Sequence, residues 1–181
     1  MNKPGITRDR ALALIAKHGL DLEKEKVILI GVRGYFLNTM GRRGQNDYGI
    51  FDDAFIWLDL EKCYTYNGNT DPSRQYHRVA TLKTGIWTYL KGIHPLSRPG
   101  GYPAFRQAEE VTVERYGAKD DTGWFGINIH KGGVNNTSSA GCQTLVAGLW
   151  DAFKDWGYGR LDKYQKKTFK YLLVENDGSI A

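Results

Sequence analysis

The chain has 181 residues, 41% of them hydrophobic, 13% aromatic and 22 of them glycine. That is enough apolar mass for one domain with a core and too little length for two. Lys plus Arg is 25 and Asp plus Glu is 20, a formal charge of +5. So mild an excess excludes neither class of anionic partner but demands none, and nucleic acid is not expected. No apolar run approaches the ~20 residues of a membrane span. The two cysteines, Cys63 and Cys142, are too few for a disulfide scaffold and form no C-x-x-C pair; both are expected to be reduced.

In chain order, residues 7–18 carry Ala11, Leu12, Ile15 and Ala16 on one helical face, with Gly19 as the stop, and predict a covering helix. Residues 26–33 form a β-branched run and predict a central strand. The Gly-, Arg- and Asn-rich stretch 34–48 reads as a loop. With Arg33 before it and Tyr35, Arg42, Arg43, Asn46 and Asp47 within it, it is either a substrate lip or a solvated connector. Residues 54–60 and 63–66 predict a hairpin, and 67–73 (N-G-N-T-D-P-S) read as turn throughout. Asp52, Asp53 and Asp71 have no histidine at a ligand-like spacing, so no metal or other cofactor is expected. His77 sits in a polar stretch. Residues 81–91 hold one or two strands, and 94–101 form a Pro/Gly loop whose His94 is a second candidate base. Residues 109–116 alternate strictly and predict an exposed strand.

The chemistry concentrates between Trp124 and Trp156. Trp124, Phe125, Ile127 and Ile129 alternate and lead to His130; a small-residue loop runs to Cys142; then Leu145, Leu149, Phe153 and Trp156 recur at helical spacing. This predicts a strand ending on the histidine and a helix starting on the cysteine and stopping at 157–159. A cysteine at a helix N-terminus meets the positive end of the helix dipole, which favours the thiolate. A nearby imidazole can take the thiol proton and return it to a leaving amine. Either residue alone is more often packing than chemistry; their joint placement across a loop of small residues favours function. Residues 161–167 read as a short charged segment and 168–175 as a last strand. Lys163, Lys166, Lys167 and Lys170 read as a solvated face or a wall contact.

S-A-G-C-Q-T at Ser139–Thr144, with I-H at Ile129–His130, resembles the motif of the YkuD-type L,D-transpeptidases. The resemblance implies that Cys142 is the nucleophile, His130 the base held by the carbonyl of Lys131 or Gly132, Gly141 an oxyanion donor, and Ser139 the motif serine; the Cys142 N–H, at the end of the small-residue loop, is expected to steady the oxyanion with Gly141. Gln143 and Thr144 stand where the family has an aliphatic residue and an arginine, the histidine-to-cysteine loop is shorter than usual, and Lys131 separates His130 from the glycines. The stretches G-V-R-G-Y-F, N-D-Y-G-I-F-D-D and N-G-N-T-D-P are similar to those of phage-encoded proteins.

The expected fold is therefore β-rich (α+β): a single domain over 1–181, an L,D-transpeptidase-like β-sandwich or sheet with a helix after Cys142 and a few flanking helices. The expected function is a Cys–His peptidoglycan-modifying enzyme working on stem peptides through a thioester, of the phage endolysin peptidase type. Arg33, Tyr35, Ser139, Gln143 and Thr144 are candidate substrate contacts. A true L,D-transpeptidase or amino-acid-exchange effector, and a non-catalytic wall-binding or virion protein, stay open beside it. The expected partner is bacterial peptidoglycan, met by a monomer that is cytoplasmic when made, has no visible export signal, and reaches the wall through a holin-type pore.

Overall fold

A computed structural model describes residues 3–95, 100–178 and 180. The centre of the 94–101 loop, residues 96–99, falls outside that set. The order of elements begins with helix α1 (Arg8–Lys17), a one-turn helix α2 (Leu22–Glu25) and strands β1 (Val27–Arg33), β2 (Asp53–Asp59), β3 (Cys63–Asn69), β4 (Ala80–Leu82) and β5 (Gly85–His94). It continues with β6 (Tyr102–Gln107), β7 (Val111–Arg115), β8 (Asp121–Gly123), β9 (Ile129–Lys131), β10 (Gln143–Leu145), helix α3 (Trp150–Lys163) and β11 (Thr168–Glu175).

The chain is β-rich, as its glycine content and β-branched runs imply, but the strands are not stacked as a sandwich. Among the described residues, eight of them close a barrel in the order β1-β11-β5-β6-β9-β10-β3-β2, and β4-β7-β8 form a separate small sheet. β1 lies parallel to β11 and antiparallel to β2. Its apolar run is continuous because both faces are covered. Val27 and Leu29 join Phe55, Trp57, Phe169, Tyr171 and Leu173 on the inner side, with Trp150, Phe153 and Leu161 of α3. Ile28, Ile30 and Val32 face the other way, with Ala54, Ile56, Leu58 and Leu172, under Ala11 and Ile15 of α1. The period of two thus sorts each strand between two cores. Helix α1 starts where Thr7 caps Arg10 N–H and ends before Gly19, whose φ is 73°.

Several expected elements differ: the strand expected to be exposed at 109–116 buries Val111 and Val113, and three more depart in their bounds. Residues 67–69 extend β3 instead of turning, because Gly68 and Asn69 pair with Leu145 and Thr144 of β10. Residues 124–128 are irregular, and the alternating run becomes a strand only at Ile129. Helix α3 does not stop at 157–159: it passes through both glycines to Lys163. Gly157 is there because the helix lies against the core; a Cβ at that position would sit 2.5 Å from Trp57 and 2.8 Å from Phe105.

Candidate active site

Cys142 does not open a helix. It precedes strand β10, a short 3-10 turn follows at Ala147–Leu149, and α3 begins only at Trp150. The helix dipole is therefore no part of its environment. Burial instead pushes the half-buried thiol up, opposed by the Asn128 N–H, which reaches Sγ at 3.5 Å. The thiol itself donates to Gly126 O at 3.5 Å. The sulfur is protonated at rest, contrary to the depressed thiol expected from a helix N-terminus.

β9 and β10 run parallel, with Gln143 opposite Ile129 and Thr144 opposite His130, and the Gln143 N–H donates to Asn128 O. Cys142 thus lies beside Asn128, and His130 lies two residues further along, on the face Asn128 occupies. The fold brings sulfur and imidazole to one edge of the barrel without closing a hydrogen bond between them among the described residues. His130 is buried; its Nδ1 lies 2.8 Å from Lys131 O and 3.0 Å from Tyr102 Oη. A carbonyl only accepts, so Nδ1 carries the proton and Nε2 keeps a free lone pair. Burial, and then His94, push the imidazole down to about 4, against the Lys131 carbonyl, which favours charge. Tyr102 stays a phenol, pushed up to about 12 by burial and Cys142, and its hydroxyl can also reach Lys131 O at 3.4 Å.

The loop before the cysteine is built by Ser139. Its Oγ donates to Cys142 O at 2.6 Å and accepts from Gly141 N–H at 3.0 Å. Its N–H donates to Ser73 Oγ, and its carbonyl accepts from Ser73 N–H. Gly141 has φ 130° and would place a Cβ 2.6 Å from Ala80 O, so no other residue fits. Its amide is taken by Ser139, so of the two expected oxyanion donors Gly141 is occupied, while the Cys142 N–H has no partner among the described residues.

The remaining candidate contacts are structural. Arg33 is buried, pairs with Asp71 at 3.0 Å and donates to Thr70 O and Leu82 O. Tyr35 is buried and accepts from Gly5 N–H. Gln143 is fully buried; its amide donates to Thr70 O and its carbonyl accepts from Tyr171 Oη. Thr144, equally buried, accepts from Asn69 at 3.5 Å. None of the four lines either of the two clefts that flank the cysteine turn. The loop 34–48 is tied down by Arg42–Asp47 and Asn46–Asp71 contacts, and its Tyr48 lines an open cleft. Lys163, Lys166 and Lys170 bond to Glu61, Lys24 O and Thr88.

Two clefts flank the site. One, of about 420 Å³, is lined by Tyr102, Lys131, Gly132, Trp150 and Lys154. The other, of about 560 Å³, is polar and lined by Tyr48, Ser73, Arg74, Asn136, Ser139 and Ala140. Sequence reasoning missed Asn128, Tyr102 and the weight of His94; only Asn128, between Ile127 and Ile129 and two residues before the histidine, had a sequence position that marked it. No protein-family model, curated protein or solved structure matches this chain. Among the described residues no helix is long and apolar enough to cross a membrane, and no group of His, Cys, Asp and Glu is arranged to hold a metal ion.

Proposed function

We propose that this chain is a Cys–His enzyme that acts on peptidoglycan stem peptides through a thioester, as a lytic peptidase. The observation that carries the reading is the 2.8 Å contact of His130 Nδ1 with the Lys131 carbonyl, which assigns the ring proton to Nδ1. Its Nδ1–H is committed to the Lys131 carbonyl, so Nε2 is left as acceptor on the face it shares with Asn128, whose N–H touches Sγ. Ser139 and Gly141, which complete the resemblance to the transpeptidase motif, shape the turn that carries the nucleophile.

Both partners are neutral at rest, so the thiol must be deprotonated as it attacks. Sγ forms a bond to the substrate carbonyl carbon while its proton passes to His130 Nε2. The developing oxyanion meets the Cys142 N–H. Collapse breaks the C–N bond, the His130 proton leaves with the amine, and the thioester remains. Water then repeats the exchange: its proton goes to Nε2, its oxygen to the carbonyl, and the proton returns to Sγ. Lys131 in one cleft and Arg74 in the other supply the positive charge that suits an anionic stem peptide.

Purified sacculi incubated with wild type, Cys142→Ala and His130→Ala test this reading. Soluble muropeptides released by wild type alone support it. New cross-links or exchanged stem residues that depend on Cys142 would make the chain a transpeptidase. Sacculus binding without turnover, equal in all three, would make it a wall-binding protein and end the enzymatic reading.

A further inference from the structure

His94, the last residue of β5, stacks on His130 with ring centroids 4.0 Å apart and planes 19° from parallel. Its Nδ1 lies 3.2 Å from Asn128 Nδ2. An amide nitrogen only donates, so Nδ1 accepts and the proton of the neutral ring sits on Nε2. Asn128 is fixed in turn: its Oδ1 accepts from Gln107 N–H at 3.4 Å, and its own N–H reaches Sγ of Cys142. One residue thereby ties His94 to the nucleophile, and the stack ties it to the base.

We propose that His94 is a positioning residue of the Cys142–His130 pair: clamped by Asn128, its ring lies flat on His130 and fixes the plane in which that imidazole presents Nε2 to the thiol. The inference rests on the Cys–His reading above. Without His94, His130 is anchored only along the edge that carries Nδ1, where Lys131 O and Tyr102 Oη meet it. An anchor on one edge leaves the ring free to swing about it; a second contact across its face removes that freedom. The stack also disfavours charge, because two imidazoles this close resist ionising together. The groups facing the pair are Tyr102 and Arg106 from β6 and the Lys131 carbonyl from β9, while the Cys142 thiol acts on Tyr102 and sits against Asn128 N–H. Burial first, then Arg106, holds His94 below its ordinary range.

The experiment compares His94→Leu and His94→Phe with wild type in two readouts that need no substrate. One is the NMR titration of His130 Cε1–H. The other is the iodoacetamide alkylation rate at pH 7, followed at Cys142 and Cys63 separately by mass spectrometry. Both variants remove a titrating neighbour but leave the burial that is the larger cause, so the His130 midpoint rises above about 4 and stays below the ordinary ~6.5. A stronger base alone would speed alkylation of Cys142. Positioning requires the opposite for His94→Leu, a fall on the order of tenfold, while His94→Phe keeps a flat face and stays within about threefold of wild type. The Phe variant also controls for folding. Alkylation that is unchanged or faster in His94→Leu, or equal in Leu and Phe, overturns the proposal. A His130→Ala variant alkylated at the wild-type rate overturns the Cys–His reading beneath it, and neither result depends on whether peptidoglycan is the substrate.

Discussion

Two glycines of α3 make opposite predictions from one helix. A Cβ at Gly159 meets nothing within 4 Å, and the position is exposed; a Cβ at Gly157 falls 2.5 Å from Trp57 and 2.8 Å from Phe105. Both rings are fully buried, and the Trp57 indole is pinned by its N–H bond to Phe153 O at 3.1 Å, so neither can withdraw. Ala in place of an exposed helical Gly gains about 0.5–1 kcal/mol. The same gain at 157 is opposed by about 1–3 kcal/mol of overpacking. Gly159→Ala is therefore expected to melt above wild type and Gly157→Ala below it, at roughly 2–4 °C per kcal/mol for a domain of this size. Calorimetry on the two variants checks the sign. Equal stabilisation by both would show that α3 is not seated on Trp57 and Phe105. Destabilisation by Gly159→Ala would show that the helix stops at 157–159, where its glycines invite a stop.

Three further outcomes follow from the buried ionisable groups. Because burial raises the Cys142 thiol and lowers His130, Cys142 alkylation should still be climbing past the ~8.5 of a free thiol, and the acid limb of turnover on sacculi, set by His130, should appear only near 4; a reactivity plateau already reached at pH 7 would contradict the protonated resting thiol. Arg33→Ala leaves Asp71 buried without its cation and should cost about 3–5 kcal/mol in denaturant titration; a raised substrate KM with full stability would return Arg33 to the ligand. Asp52 is pushed up to about 6 by burial, with the Asp71 and Asp47 charges behind it, against the Asp47 N–H that favours its charged form. The folded state therefore binds more protons than the unfolded one between the ordinary ~3.9 and about 6, and stability falls as pH rises through that window. Asp52→Asn keeps an acceptor for Asp47 N–H and should flatten that decline in a Tm–pH series; an unchanged slope would place the effect elsewhere.

Some of this molecule was legible residue by residue. Residues 7–18, 26–33, 54–60 and 168–175 announced α1, β1, β2 and β11, because an amphipathic period or a β-branched run has one good solution at that length. The small residues before Cys142 announced a loop that ends on a thiol. The element after the cysteine was not legible. Q-T-L-V-A-G-L-W satisfies helical spacing, and only pairing with Asn69 and Gly68 on one side and with residues 129–131 on the other makes its first three residues a strand. That pairing, invisible locally, removed the helix dipole from Cys142 and reversed the direction of its thiol.

The sequence by itself determined which segments bury their side chains and which residue types stand at the Cys142 turn, since both depend on neighbours a few positions away. Tertiary structure alone decided what surrounds those residues. The closed barrel, rather than a sandwich, set His94 against His130 and put Asn128 between His94 and the sulfur. It also turned Arg33, Gln143 and Thr144 inward. Protonation and reach depend on burial and on partners tens of residues away, and no local pattern encodes those.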